Sequence, residues 1–194
     1  MIDTFEKFLE YEKILIESPQ LIPTHQQYPF ENWAENPNIG NSILNSEDVI
    51  FEQLFIFNNI KLNIMRHNLD KMITYYLISP STKNIMGYVR LKKEKELYFT
   101  NGLWQYHPLT GFIRTFLTNY LLPKYKLLIS DNLMTQKGAD FWKKIIQYGF
   151  DKNYEVGIYY FDENKFEKIL DFHNIESLWQ GKDSQNKRIY IKEK

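Results

Sequence analysis

No cysteine occurs among the 194 residues. That absence excludes a disulfide framework, a thiolate-held zinc and a cysteine nucleophile. It also fits a reducing compartment. Net charge of one sign is missing too, because 24 basic residues balance 24 acidic ones. The chain therefore has no global attraction for phosphate backbones, and nucleic acid is not an expected partner. No apolar run approaches the ~20 residues of a membrane span, so no membrane is expected either. The opening MIDTFEKFLEYEKILIE lacks the basic start and apolar centre of a signal peptide. A cytoplasmic location is the expectation. Neither phosphate-loop fingerprint is present, nor is the G-x-S-x-G of a hydrolase elbow. His25, His67, His107 and His173 lie far apart, without the spacing of a metal site, and no metal is expected.

What is present is a core. Hydrophobic residues make up 43% and aromatic residues 16%, far from the composition of a disordered chain. Residues 4–16 place Phe5, Phe8, Leu9, Ile14, Leu15 and Ile16 at helical spacing. Residues 18–48 read as a long loop, or a loop with a short helix. Strands are predicted over Ile50–Phe57, Ile60–Arg66, Met72–Ile78, Met86–Leu91 and Glu96–Thr100, with Asn58-Asn59 and Pro80–Asn84 as turns. Their short connections predict antiparallel neighbours.

After residue 102 the pattern alternates. Thr110-Gly111 opens a helix carrying Phe112, Ile113, Phe116, Leu117, Tyr120 and Leu121, and Pro123 is expected to stop it. Tyr125–Ser130 reads as a buried strand. Thr135 can cap a helix with Ala139, Trp142, Ile145 and Ile146 on its apolar face, and Gly149 stands where a left-handed C-cap is wanted. Tyr154–Phe161 is a strand, Asp162 caps a helix over Glu163–Phe172 with Phe166, Ile169 and Leu170 inward, and Arg188–Lys192 closes the chain as a strand. The expected class is α+β (mixed α/β), with a mostly antiparallel sheet flanked by helices.

Three places can carry chemistry. The run Lys92-Lys93-Glu94-Lys95-Glu96 is a solvated hairpin end, or else Glu94 or Glu96 supplies a general base. Gln105–Gly111 leads into a helix N-terminus, whose free N–H groups suit an anion; the plain alternative is an ordinary helix start. Ser130-Asp131-Asn132 ends a buried strand, where side chains point into ligand crevices or simply form a polar turn. Trp142 reads as core rather than as a substrate platform.

The block Gly111–Phe150, with Ser130-Asp131, Thr135, Gly138 and Trp142, resembles phage- and prophage-encoded proteins of the GNAT-like (Gcn5-related N-acetyltransferase) fold. The ending SLWQGKDSQNKRIYIKEK is similar to theirs as well. The resemblance covers about residues 50–194 in element order. It implies one GNAT-like domain over 1–194, with 1–48 as an N-terminal helix and loop extension and 49–194 as the core. In that fold an antiparallel sheet leads into a strand, loop and helix that bind the acyl-CoA pyrophosphate, and a strand, a helix and two closing strands follow. Gln105, Leu109, Thr110, Gly111 and Phe112 then stand at the pyrophosphate loop, with Asn132 also on the cofactor side. Glu94, Glu96, Asp131 and Tyr148 become the catalytic candidates. Two departures stand out. Only Gly111 remains of the usual glycine-rich loop, with Pro108 removing one donor. Trp142 replaces the tyrosine that protonates the leaving thiolate, and Trp cannot act as an acid.

The resemblance implies an N-acyltransferase that uses acetyl-CoA or another acyl-CoA as co-substrate, has no tightly bound cofactor, and takes an amine as acceptor. The competing expectation is a GNAT-fold interaction module without activity, holding a host or phage protein. A homodimer is compatible with both.

Overall fold

The computed structural model describes residues 36–106, 109–131, 136–170 and 186–194. The helix expected over residues 4–16, the cap at Thr135, Asn132, and His25, His107 and His173 lie outside them. The fold is mixed α+β. Among the described residues nine strands follow the order β1-β2-β3-β4-β5-β6-β9-β7-β8 in one mostly antiparallel sheet. The chain divides into two compact units. The first runs to Val89 and takes in Trp104–Thr110, and the second holds Arg90–Leu103 and everything from Gly111 onward.

The first unit starts with helix α1 (Pro37–Asn45). Asn36 caps it, its Oδ1 accepting from Asn38 N at 3.0 Å, and Pro37 supplies the fixed φ suited to a first turn. α1 is thus the short helix within the expected loop. Gly40 lets the chain pass closely here, since a Cβ would fall inside 3.0 Å of the Lys83 carbonyl oxygen.

Strands β1 (Val49–Phe57), β2 (Ile60–Leu69) and β3 (Met72–Ile78) form an antiparallel meander. Asn58 and Asn59 turn the first hairpin with φ of 46° and 66°, the left-handed pair that Asn tolerates best after Gly. Ile39 and Ile43 of α1 pack with Val49, Met65, Tyr76, Ile78, Ile85 and Tyr88. A bulge between Phe51 and Gln53 interrupts β1, and Glu52 there pairs with Arg66 Nε at 2.7 Å. Ile50, Phe51, Leu54 and Ile56 remain exposed on this edge strand.

Strands β4 (Ile85–Glu94) and β5 (Leu97–Gln105) contribute residues to both units. Lys95 and Glu96, with φ of 49° and 63°, make the two-residue turn between them. The charge run is accordingly a hairpin end.

The second unit continues with helix α2 (Phe112–Phe116), a π-helical turn (Leu117–Leu121) and helix α3 (Leu122–Tyr125). Pro123 does not stop the helix as expected. The π-turn, closed by Leu122 N–H on Leu117 O, is wider than an α-turn and accommodates a residue without an N–H. The helix ends instead at Lys126, with φ of 63°. Strand β6 is therefore the short Leu127–Ile129.

Helix α4 (Gln136–Asp151) buries Ala139, Trp142, Ile145 and Ile146, the face that periodicity predicts. Gly149 is not its left-handed cap; it lies inside the helix. A Cβ there would fall inside 3.0 Å of Val156 Cγ1 and lie 3.2 Å from Ile191 Cδ1. The glycine serves close packing of helix on strand, and Asn153 (φ 58°) takes the left-handed position.

Strand β7 (Glu155–Tyr160) follows. The helix expected at Glu163–Phe172 is replaced by a turn and strand β8 (Lys165–Lys168), paired antiparallel with β7. Phe166 and Leu170 do not point inward; they are 41% and 81% exposed. Asn164 (φ 53°) turns the hairpin and accepts from Tyr159 Oη at 2.7 Å. Strand β9 (Lys187–Lys192) pairs with both β6 and β7.

Candidate functional site

The β5–β6 junction is parallel, and among the described residues one pair, Phe99 with Ile129, carries its register. Thr100 Oγ1 adds a bond to Ile129 O at 3.3 Å. Beyond Ile129 the chain is held from the other side. Ser130 N donates to Ile189 O at 2.7 Å, and Ser130 Oγ accepts from Ile189 N at 2.8 Å. The buried Ser130 hydroxyl thus stands in for a backbone carbonyl and extends the β9 ladder by one rung. Asp131 follows, half-buried, at the carboxyl end of β6.

Here the structure assembles a charge cluster that the sequence did not announce. Arg188, on β9, is 7% exposed. Burial pulls its guanidinium pKa below the usual value, opposed by the carboxylates of Asp131, Glu94 and Asp162. Its guanidinium lies 5.3 Å from the centre of the Phe161 ring, and Lys95 Nζ lies 4.1 Å from the same ring while donating to Phe161 O at 2.6 Å. Glu94 and Asp131, predicted separately, therefore both lie near enough to act electrostatically on one buried cation. Arg188 had read only as the first residue of a closing strand. The available signal was its place in an alternating RIYIK run, where one face must be buried.

The other candidates are placed as follows. Glu94 pairs with Lys92, and Glu96 with Lys93 at 2.7 Å. With Lys95 on Phe161, all three lysines of the run are engaged. Gly111, with φ of 81°, precedes α2, and its carbonyl accepts from Thr115 N at 3.0 Å. Phe112 is fully buried, so its side chain is core and only its backbone can face a ligand. Gln105, Leu109 and Thr110 belong to the first unit, whereas Gly111 and Phe112 belong to the second. Trp142 is core.

Tyr148 does not line the Arg188 cluster. It lies on α4, facing the π-turn, where its hydroxyl donates to Asn119 Oδ1 at 3.4 Å. Together they border a cleft of about 340 Å³ with Arg114, Thr115, Thr118, Lys144, Gln147 and Asp151.

Among the described residues no group of three His, Asp or Glu side chains can hold a metal ion, and no helix is long and apolar enough to cross a membrane. No protein-family model, curated protein or solved structure matches this chain.

Proposed function

We propose that the chain is an acyl-CoA-dependent N-acyltransferase with a GNAT-like fold, encoded by a phage or mobile element. One observation carries the reading: among the described residues a single pair, Phe99 with Ile129, sets the register of the parallel β5–β6 junction. A parallel junction with one paired position is what an extended pantetheine arm lying between two parting strands would require. The element order supports the same reading. A hairpin meander leads through β5 to a helix with a left-handed glycine at its start, then β6, α4 and the closing strands β7 and β9.

On this reading the N-terminal end of α2, entered through the left-handed Gly111, receives the pyrophosphate at the positive end of the helix dipole. The amine nitrogen attacks the thioester carbonyl, the C–S bond breaks, and the thiolate takes up a proton. Asp131, at the carboxyl end of β6, or Glu94, at the end of β4, accepts the proton that the attacking amine releases. Trp142 has no part in that chemistry.

The second reading, a GNAT-fold interaction module without activity, is favoured by the engagement of Glu94 with Lys92 and of the carboxylates with Arg188. Acetyl-CoA calorimetry on the full chain separates the two. A binding heat, with stabilisation of about 2.7 kcal/mol at a hundred-fold excess over Kd, supports acyl transfer. Absence of heat and of thermal shift at millimolar acetyl-CoA refutes it.

A further inference from the structure

The cleft between the α2–π-turn segment and α4 is separate in its lining from the Arg188 cluster. Arg114 and Thr115 come from α2, Thr118 and Asn119 from the π-turn, and Lys144, Gln147, Tyr148 and Asp151 from α4. The charged groups on its walls are two cations and one carboxylate. Asp151 is engaged, accepting from Gln147 Nε2 at 2.8 Å. Among the described residues neither the Arg114 guanidinium nor the Lys144 ammonium has a partner, whereas the adjacent Lys143 faces Asp140 at 4.0 Å.

The hydrogen-bonding groups are sorted in the same sense. The Thr115 and Thr118 hydroxyls donate to backbone carbonyls of their own helix, at 3.1 Å to Gly111 O and 3.0 Å to Arg114 O. Asn119 Oδ1 accepts from Tyr148, which leaves its amide NH₂ as the donating end. What the cleft presents to a ligand is therefore two unpaired cations and an amide donor. The π-turn widens the helix where Thr118 and Asn119 meet the cleft, and such turns recur at functional sites.

We propose that this cleft binds the phosphoryl group of a small phosphorylated ligand. A phosphate monoester supplies two negative charges for Arg114 and Lys144 and acceptor oxygens for Asn119. The cleft, about 340 Å³, has room for a phosphoryl group together with a small organic group. Asp151 repels a second anionic group at that end, so the ligand carries its phosphate at one terminus. This inference does not rest on acyl transfer.

The test is an NMR titration of the ¹⁵N-labelled full chain with inorganic phosphate and with phenyl phosphate, at ionic strength held constant with chloride. The expected result is saturable shifts confined to Thr115, Thr118, Asn119, Gln147 and Tyr148. Arg114→Gln and Lys144→Gln should each weaken binding roughly ten-fold, the effect of deleting one charged hydrogen-bond partner. Lys152→Gln, at an exposed lysine outside the cleft, should leave it unchanged. Shifts that fail to saturate by tens of millimolar ligand, in the range of roughly millimolar or weaker affinity, overturn the proposal. So does an equal loss in Lys152→Gln, which marks unspecific attraction to charge. The wild-type titration stands alone if a variant fails to fold.

Discussion

Replacing Gly149 with alanine sets two effects of known size against each other. Within a helix, alanine is favoured over glycine by about 1 kcal/mol. Gly149 lies inside α4, so that gain applies. Against it stands the new methyl, which would fall inside 3.0 Å of Val156 Cγ1 and 3.2 Å from Ile191 Cδ1. Both neighbours are about 1% exposed and have nowhere to retreat. Overpacking of this kind costs about 1–3 kcal/mol, and so tight a contact belongs at the upper end. Gly149→Ala is therefore expected to destabilise the chain by about 1–2 kcal/mol, a fall in Tm of roughly 2–8 °C at this chain length. The decisive comparison adds Val156→Ala, which removes the Cγ1 that the methyl meets. That change alone costs about 2 kcal/mol as a core truncation. In its background Gly149→Ala should become neutral or mildly stabilising, giving a coupling of about 2 kcal/mol in urea denaturation at unchanged m. An equal cost in both backgrounds, or stabilisation in the native one, refutes the close-packing account.

Three further outcomes are expected. Burial holds the His67 pKa below its ordinary 6.5, with Asp48 opposing the shift. The unfolded chain then binds more protons below that pH, so this contribution is complete above about pH 6.5 and is lost as pH falls toward the folded value; His67→Gln should flatten the acid limb of a stability–pH curve, and an unchanged slope would remove His67 as its source. Arg188→Gln removes the buried guanidinium beside Phe161 and its attraction to Asp131, Glu94 and Asp162, and should cost about 1 kcal/mol by chemical denaturation; a gain in stability would show that burying the charge costs more than its surroundings return. Asn59→Gly, at φ of 66° in the β1–β2 turn, should stabilise by about 0.5 kcal/mol in the same assay, and a loss of stability would place that turn outside the left-handed type.

Much of the fold was legible where local pattern and tertiary demand agree. Met72–Ile78 emerges with its predicted bounds, because a run of apolar and aromatic residues between turn signals has few alternatives. The apolar face of α4 was equally plain. The errors have a common cause, a local signal overruled by a neighbour that sequence does not show. Phe166, Ile169 and Leu170 sit at helical spacing after Asp162, yet β7 offered a free edge. Phe166 instead packs its ring 4.7 Å from Tyr159 and 5.1 Å from Tyr190. Gly149 resembled a cap because it stands near a helix end, and only the position of Val156 reveals its role. At the candidate site, Glu94 and Asp131 could be chosen by type and place. Arg188, far along the chain, could not be joined to them without the β6–β9 pairing. The Arg114–Lys144 cleft was hidden in the same way, since each cation reads alone as a surface charge.

The bulge in β1 governs what the edge of this sheet can recruit. A straight apolar edge offers a continuous row of N–H and C=O groups on which another extended chain can template itself. The extra residue near Glu52 breaks that row, so Gln53–Phe57 stays in step with β2 by a different count from Val49–Phe51. A strand arriving from solution can align with one half or the other, gaining part of the backbone bonds that a full ladder would give. The Glu52–Arg66 pair puts charge at the break. Exposed Phe51, Leu54 and Ile56 thus sit on an edge whose own backbone kink shortens the ladder that an incoming strand can form.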